Sequence, residues 1–232
     1  MKIDLYGDGV GCVEYVSHMG SDLSVVNAAR VSFGSEKSKV DEKDIKLIRY
    51  LMNHNHSSPF EHCLITFKFT VPLFIRSQHH RHRTWAYNEI SRRYTSVNME
   101  FYSPEKFRTQ HESNRQASSN SLINPILNSS FTSMGFESAA VAVKSHNSNS
   151  LSLYNALLES GVCREQARGV LPQNLYTQYF GTVNLHNLLK FISLRSHEGA
   201  QWEIQKVATA CLEIAKQYFP HSVESFMLKN KI

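Results

Sequence analysis

Cysteine is scarce in this 232-residue chain: Cys12, Cys63, Cys163 and Cys211 lie far apart and form no C-x-x-C pair. That spacing argues against a cysteine zinc site and against a small disulfide scaffold, and reads as reduced thiols in the cytosol. Long apolar runs are missing as well. No stretch approaches about eighteen apolar residues, and Met1-Lys2-Ile3-Asp4-Leu5 opens no signal-peptide run. The expectation is a soluble, cytoplasmic protein with no membrane partner. Charged residues are only 19%, which removes the strongly solvated classes, and 41% hydrophobic residues suffice for a real core. Gly7, Gly9 and Gly11 are followed by no lysine-serine pair and no long apolar helix, so they read as a turn and not as a nucleotide loop. There is no internal repeat and no second core, and the chain reads as one α+β domain over residues 1–232.

The charge that is present leans one way. The net value is +5 with neutral histidines, and twelve histidines add more at mild acidity. A basic balance suits a phosphate-bearing partner without separating a polymer from a small nucleotide. The basic character peaks at Arg81-His82-Arg83-Thr84-Trp85-Ala86-Tyr87-Asn88-Glu89-Ile90-Ser91-Arg92-Arg93-Tyr94, with His79 and His80 just before it. No apolar period of 3.6 or 2 runs through this stretch, so it is a poor core element. Fixed cations beside rings suit an anionic ligand that carries a flat heterocycle. The competing reading is a solvated basic loop.

Along the chain, residues 2–16 read as a short strand or hairpin, and 22–33 as a short helix capped by Ser21 or Asp22. A helix from about Glu42 to Asn53 places Ile45, Ile48, Leu51 and Met52 on one face, with Asp41 or Asp44 serving its start. His54, His56 and His62 invite a metal. Their spacing lacks the i,i+4 pair of a helical zinc site, and Pro59 breaks any helix across them, so a loop facing a bound ligand fits better. Cys63 to Val71 alternates as a strand, and Pro72 opens a helix. Residues 91–102 have the composition of a returning strand, which makes the arginine-rich stretch a loop fixed at both ends. Residues 103–150 are a Ser/Asn-rich excursion with one helix near Phe136–Lys144. Helices are expected at 151–158, ending at Gly161, then at 163–171, 184–195 with Asn184 as cap, and 200–218. A strand is expected at 175–183, and a tail helix after Pro220.

Arg81-His82-Arg83 followed by Ser91, with Tyr87-Asn88-Glu89 and Arg93-Tyr94, resembles the signature of flavin-dependent thymidylate synthases. Ala28-Ala29-Arg30-Val31-Ser32-Phe33, His56-Ser57-Ser58-Pro59-Phe60-Glu61-His62, Arg164-Glu165-Gln166-Ala167-Arg168 with Leu171-Pro172, Asn174-Leu175-Tyr176-Thr177, and Leu194-Arg195 with Ala200-Gln201-Trp202-Glu203-Ile204 continue the likeness in order. It covers nearly everything except 103–150. The resemblance implies an α+β domain with a central, mostly antiparallel sheet flanked by helices. It also implies a homotetramer whose active sites are shared between subunits around FAD. The implied reaction turns dUMP into dTMP, with methylenetetrahydrofolate as one-carbon donor, NADPH as electron source, and tetrahydrofolate released.

By the same resemblance, Arg93 and Arg168 match phosphate-contacting arginines, and Gln78 and Ser91 neighbouring polar contacts on dUMP. Arg195 matches the arginine set against the uracil ring, the catalytic position, where fixed positive charge favours electron density moving onto a carbonyl. Arg81, His82, Arg83 and Glu89 match FAD contacts, with Arg81 also near the nucleotide; Ser32, Ser58 and Glu61 add to them. His56 and Tyr94 match positions by the stacked folate and flavin rings. Ser91 lacks a partnering base and reads as a binding contact, not a nucleophile. The chain departs from the family at His186, where an arginine is usual, and at Lys190, where an asparagine is usual; a common histidine is missing near Gly199. His186 and Lys190 are either donors to the FAD or plain surface residues of a helix. Asn184 keeps its family position near the FAD, and helix capping accounts for it equally well. No metal is implied. The readings from other classes are a basic nucleic-acid-binding protein, which leaves the ordered matches unexplained, and an inactive flavin-binding relative.

Overall fold

The computed structural model describes residues 1–128 and 136–231. Its centre is a five-stranded antiparallel sheet of β1 (Lys2–Asp4), β2 (Cys12–Met19), β3 (Leu64–Pro72), β4 (Ala86–Glu89) and β9 (Tyr176–Asn184), in the order β1-β2-β3-β9-β4. β3 carries the alternation expected of it: Ile65, Phe67, Phe69 and Val71 are buried, while Leu64, Thr66, Lys68 and Thr70 are only partly so. It pairs with β9 over nine residues, from Leu64 opposite Asn184 to Pro72 opposite Tyr176. The outward face is stitched by polar pairs, Thr66 with Thr182 at 2.9 Å and Gln178 to Thr70 at 3.2 Å.

The inward face meets α1 (Asp22–Arg30), α6 (Leu185–Arg195), α7 (Trp202–Tyr218) and α8 (Pro220–Asn230), whose buried apolar residues join one core with Val13, Ile65, Phe67, Phe69 and Val183. α2 (Glu42–Asn53) lies against α8 and starts as expected: the Asp41 carboxylate accepts from the Lys43 and Asp44 amides. Asp22 serves a different helix from the expected one. It accepts from the amides of His221 and Ser222 at the start of α8, 2.8 and 3.0 Å away. The expected helix over 22–33 ends as α1 at Arg30 and continues as a 3-10 turn over Val31–Phe33.

Several expectations change in detail. The helix after Pro72 is α3 (Leu73–His79). The arginine-rich stretch is not one loop, since its middle forms β4, an edge strand against β9 with Tyr87 opposite Gly181. Residues 91–102 do not return as a strand; only Phe101 bridges to Leu175. The reason is Arg92. Its guanidinium donates to the carbonyls of Val97, Asn98 and Tyr176, while a turn closes from Tyr94 and Thr95 onto Ser91, so local bonds satisfy backbone that a sheet would otherwise use.

The excursion is more regular than its composition suggested. β5 (Phe107–Gln110) pairs with β6 (Ser118–Ile123), and β7 (Ile126–Asn128) with β8 (Phe136–Ser138); residues 129–135 of the excursion lie outside the described residues. The separate helices expected near 136–144 and at 151–158 are one helix, α4 (Ala139–Glu159). The helix expected over 163–171 is α5 (Arg164–Ala167) followed by a 3-10 turn at Arg168–Val170. All four cysteines are free thiols, and Cys12, Cys63 and Cys211 are buried.

Candidate active site

Two cavities lie beside the arginine-rich stretch. The first, about 740 Å³, is bounded by the end of α2, by α6, by the segment before α7 and by the end of α8. Leu51, Phe60 and Leu189 give it an apolar wall; His56, His186, Lys190 and Arg195 give it cationic or donor groups. Asn114 and Gln116, from the turn between β5 and β6, reach its rim. The second, about 650 Å³, is polar. It gathers Arg76, Glu89, Ser91, Arg92, Arg168 and Thr177.

The chain holds the arginine-rich stretch from below. Trp85 is buried against Phe67, Phe69 and Phe191, and its indole lies over Gly181. A methyl group at Gly181 would come within 2.9 Å of the Phe69 ring and 3.2 Å of Trp85, so only glycine lets the indole settle there. His79 is fully buried and bonds the Tyr179 hydroxyl through Nδ1 at 2.8 Å; burial pushes its pKa well below the ordinary imidazole value. The Tyr87 hydroxyl donates to the carbonyls of His79 and His82, closing the loop between α3 and β4.

On that support sits a hydrogen-bonded guanidinium. Arg195, the last residue of α6, donates from Nε to His82 Nε2 at 3.0 Å and from a terminal nitrogen to the Gln78 carbonyl at 3.5 Å. His82 must accept this bond, so its proton rests on Nδ1 and the ring is neutral. Burial first, then the charges of Arg195 and Lys190, push its pKa down to about 4. Burial also lowers the Arg195 pKa. In the second cavity, Glu89 is fixed by Arg76 Nε at 3.1 Å and by the Thr177 hydroxyl at 2.6 Å, both on the same carboxylate oxygen. Arg93 meets Glu165 at 3.4 Å, and this pair is well exposed.

Apart from Asn184, the residues singled out from the sequence fall into three groups. His56, His186, Lys190 and Arg195 line the first cavity, and Gln78 and His82 touch Arg195. Glu89, Ser91 and Arg168 line the second, with Arg93 tied to its rim through Glu165. Ser32, Ser58, Glu61, Arg81, Arg83 and Tyr94 are exposed and line neither; Ser32 only bonds back to the Ala29 carbonyl. Asn184 caps α6, accepting from the Asn187 amide at 2.9 Å, which is its local role. Sequence reasoning passed over Arg76, Thr177 and Gln201. Each sat inside an element or matched segment, and none carried a signal of its own because its partner lies far along the chain.

An apolar wall rimmed by donors beside a polar, arginine-bearing cavity defines an α+β protein built to take anionic, ring-bearing ligands. The comparisons sharpen that class. Residues 14–221 match the family described as "Thymidylate synthase complementing protein". A flavin-dependent thymidylate synthase of Thermus thermophilus is 43% identical over 93% of this chain and 75% of its own length. One of Thermotoga neapolitana is 42% identical over 98% of this chain and 94% of its own. A solved structure, the UMP/dUMP methylase PolB of Streptomyces cacaoi bound with 5-Br dUMP, superposes with a TM-score of 0.79 at 32% identity, covering 99% of both chains. The chain belongs to the flavin-dependent thymidylate synthase family.

The family implies a flavin, and the first cavity fits one. Its wall of Leu51, Phe60 and Leu189 suits a flat ring, and its donors, His186 and Lys190, suit carbonyl, adenine or phosphate groups. Both departures from the family, His186 and Lys190, lie in the lining of this cavity. Among the described residues, no helix is long and apolar enough to cross a membrane.

Proposed function

We propose that this chain reductively methylates dUMP to dTMP in the cytoplasm, as a homotetramer with shared active sites. Methylenetetrahydrofolate supplies the one-carbon unit and NADPH the electrons through bound FAD, and tetrahydrofolate is released. The observation that carries this reading is Arg195, anchored by His82 and Gln78 at the edge of an apolar-walled cavity, in a chain of this family.

The flavin, when bound, supplies the hydride chemistry. The chain's residues bind, orient and polarise. Arg168, with Ser91 beside it and Arg93 at the rim, offers forked donors to the dUMP phosphate. Arg195 presents fixed positive charge to the uracil, favouring electron density on a ring carbonyl as C5 becomes nucleophilic. Neutral His82 holds that guanidinium without competing for the same anion. His186, Lys190, Ser58, Glu61, Ser32, Arg81, Arg83 and Glu89 are the FAD contacts, and His56 and Tyr94 those of the folate. The exposure of Arg81, Arg83, Ser32, Ser58, Glu61 and Tyr94 supports sites completed by neighbouring subunits, because one chain leaves these groups without a common cavity.

The test begins with visible absorption of the purified protein, with and without FAD. Flavin bands, bleaching by NADPH, and reoxidation that needs both dUMP and methylenetetrahydrofolate are expected, with dTMP as product. Persistent failure to bind FAD sinks the reading. Bound flavin without dTMP would make the chain an inactive flavin-binding relative.

A further inference from the structure

α2 ends in a turn that separates two histidines one residue apart. After His54, which caps the helix, the Asn55 amide donates to the Met52 carbonyl at 3.3 Å and the His56 amide to the Leu51 carbonyl at 2.9 Å. This is the Schellman pattern, and its pivot is left-handed. Asn55 supplies that conformation with φ of 58°, a region open to glycine and tolerated by asparagine. The His54 ring lies 4.3 Å from Tyr50, outside the lining of the first cavity, while His56 joins that lining with Ser57 and Phe60. α8 closes over the same turn. Lys229, in the last turn of α8, donates from Nζ to the Met52 carbonyl at 2.7 Å and to Asn55 Oδ1 at 2.6 Å. One ammonium thus grips a carbonyl at the negative end of α2 and the side chain of the left-handed residue itself. Met52, Asn55, His56 and Lys229 all border the first cavity.

We propose that Lys229 is a positioning residue for the one-carbon donor: by locking the left-handed Asn55 turn, it holds His56 in the cavity where the folate meets it. This rests on the dUMP-methylating reading above and deepens it. A left-handed backbone is costly for any residue with a Cβ, so an asparagine turn without its clamp populates other conformers as well. His56 follows the pivot directly and moves with each of them. With the turn tied on both its main chain and its side chain, the imidazole has less freedom to lose when a ring settles against it. Lysine suits the task. Its charge is favoured at a helix C-terminus, and its three donors serve two acceptors at once. The last helix of the chain thereby takes part in a site whose histidine lies far earlier in the sequence.

The experiment is steady-state kinetics of the FAD-loaded protein, varying methylenetetrahydrofolate and dUMP in turn, in wild type, Lys229→Met, Lys229→Arg, and Lys229→Met combined with Asn55→Gly. Lys229→Met raises the methylenetetrahydrofolate KM about fivefold, the scale of one hydrogen bond, and leaves the dUMP KM as in wild type. Lys229→Arg keeps donors for both oxygens and stays near wild type. Adding Asn55→Gly to Lys229→Met recovers most of the loss, because glycine takes the left-handed turn unaided. The double variant still lacks the charge, so its recovery separates positioning from plain attraction of an anionic folate. An unchanged methylenetetrahydrofolate KM in Lys229→Met, an equal rise in the dUMP KM, or a double variant no better than Lys229→Met overturns the proposal. Should Lys229→Met fail to fold, Asn55→Ala carries the test: it removes the acceptor and strains the turn, the same KM rises, and an unchanged KM overturns the proposal. Wild-type protein that forms no dTMP, or forms it without methylenetetrahydrofolate, overturns the parent reading and this one together; wild-type protein that needs the folate while Lys229→Met keeps its KM overturns this one alone.

Discussion

The two cavities differ in how far a single chain prepares them. In the first, Arg195 is tied by a neutral imidazole and a main-chain carbonyl, and the loop that carries His82 is pinned by Trp85 and Tyr87. In the second, Glu89 is fixed by Arg76 and Thr177, yet Arg93 and Arg168 are loosely held: Arg93 has an exposed carboxylate, and Arg168 Nε reaches the carbonyl of Glu165. On the proposed assignment, preorganisation is concentrated where charge would develop during reaction and is weak where a phosphate would only be gripped. A group aimed at a transition state loses its value if it must reorganise at that moment, whereas a phosphate-binding arginine can be ordered by the ligand itself.

This contrast can be broken or sharpened by experiment. The largest effect is expected from Arg195→Ala, which should lower kcat by about a hundredfold or more with a smaller change in the dUMP KM. Steady-state kinetics check this, and a KM-only effect would make Arg195 a mere binding group. Arg168→Ala should raise the dUMP KM or Kd about tenfold while sparing kcat; unchanged dUMP affinity in both Arg168→Ala and Arg93→Ala refutes the phosphate assignment.

A pH titration followed by NMR reads the first cavity directly. The His82 ring should stay neutral through neutral pH and take its proton only near pH 4, because the folded state holds its pKa down. The unfolded chain takes that proton first, so the fold loses stability as pH falls from about 6.5 towards 4. A His82 midpoint near 6.5 would mean that Arg195 is not held as described. The smallest effect belongs to Glu165→Gln. Freeing Arg93 from an exposed ion pair should strengthen dUMP binding by no more than about threefold, and a large loss would make that pair structural.

Legibility followed the range of the forces involved. β3, α2 and α6 were readable because their apolar residues repeat at 2 or about 3.6 and their ends carry Asp41, Pro72 and Asn184. β4 was not, since Ala86 to Glu89 is too short and polar to show a period; it is a strand because the edge of β9 offers backbone partners and Trp85 is buried beneath it. The site was legible only in part. The family resemblance named Ser91, Arg168 and Arg195, which line the two cavities, while the Gln78–Gln201 contact joins residues 123 positions apart and left no local trace.

The sequence by itself determined which residues are core, where most helices and the long strands run, and that a basic, aromatic-laced stretch matters. Those features come from side-chain volume, capping and periodicity, which act within a few residues. Tertiary structure alone decided that Arg195 rests on His82, that Thr177 and Arg76 share Glu89, and that Gln78 meets Gln201. Hydrogen bonds between distant segments depend on packing that brings them within about 3 Å, and no rule of local spacing encodes that approach.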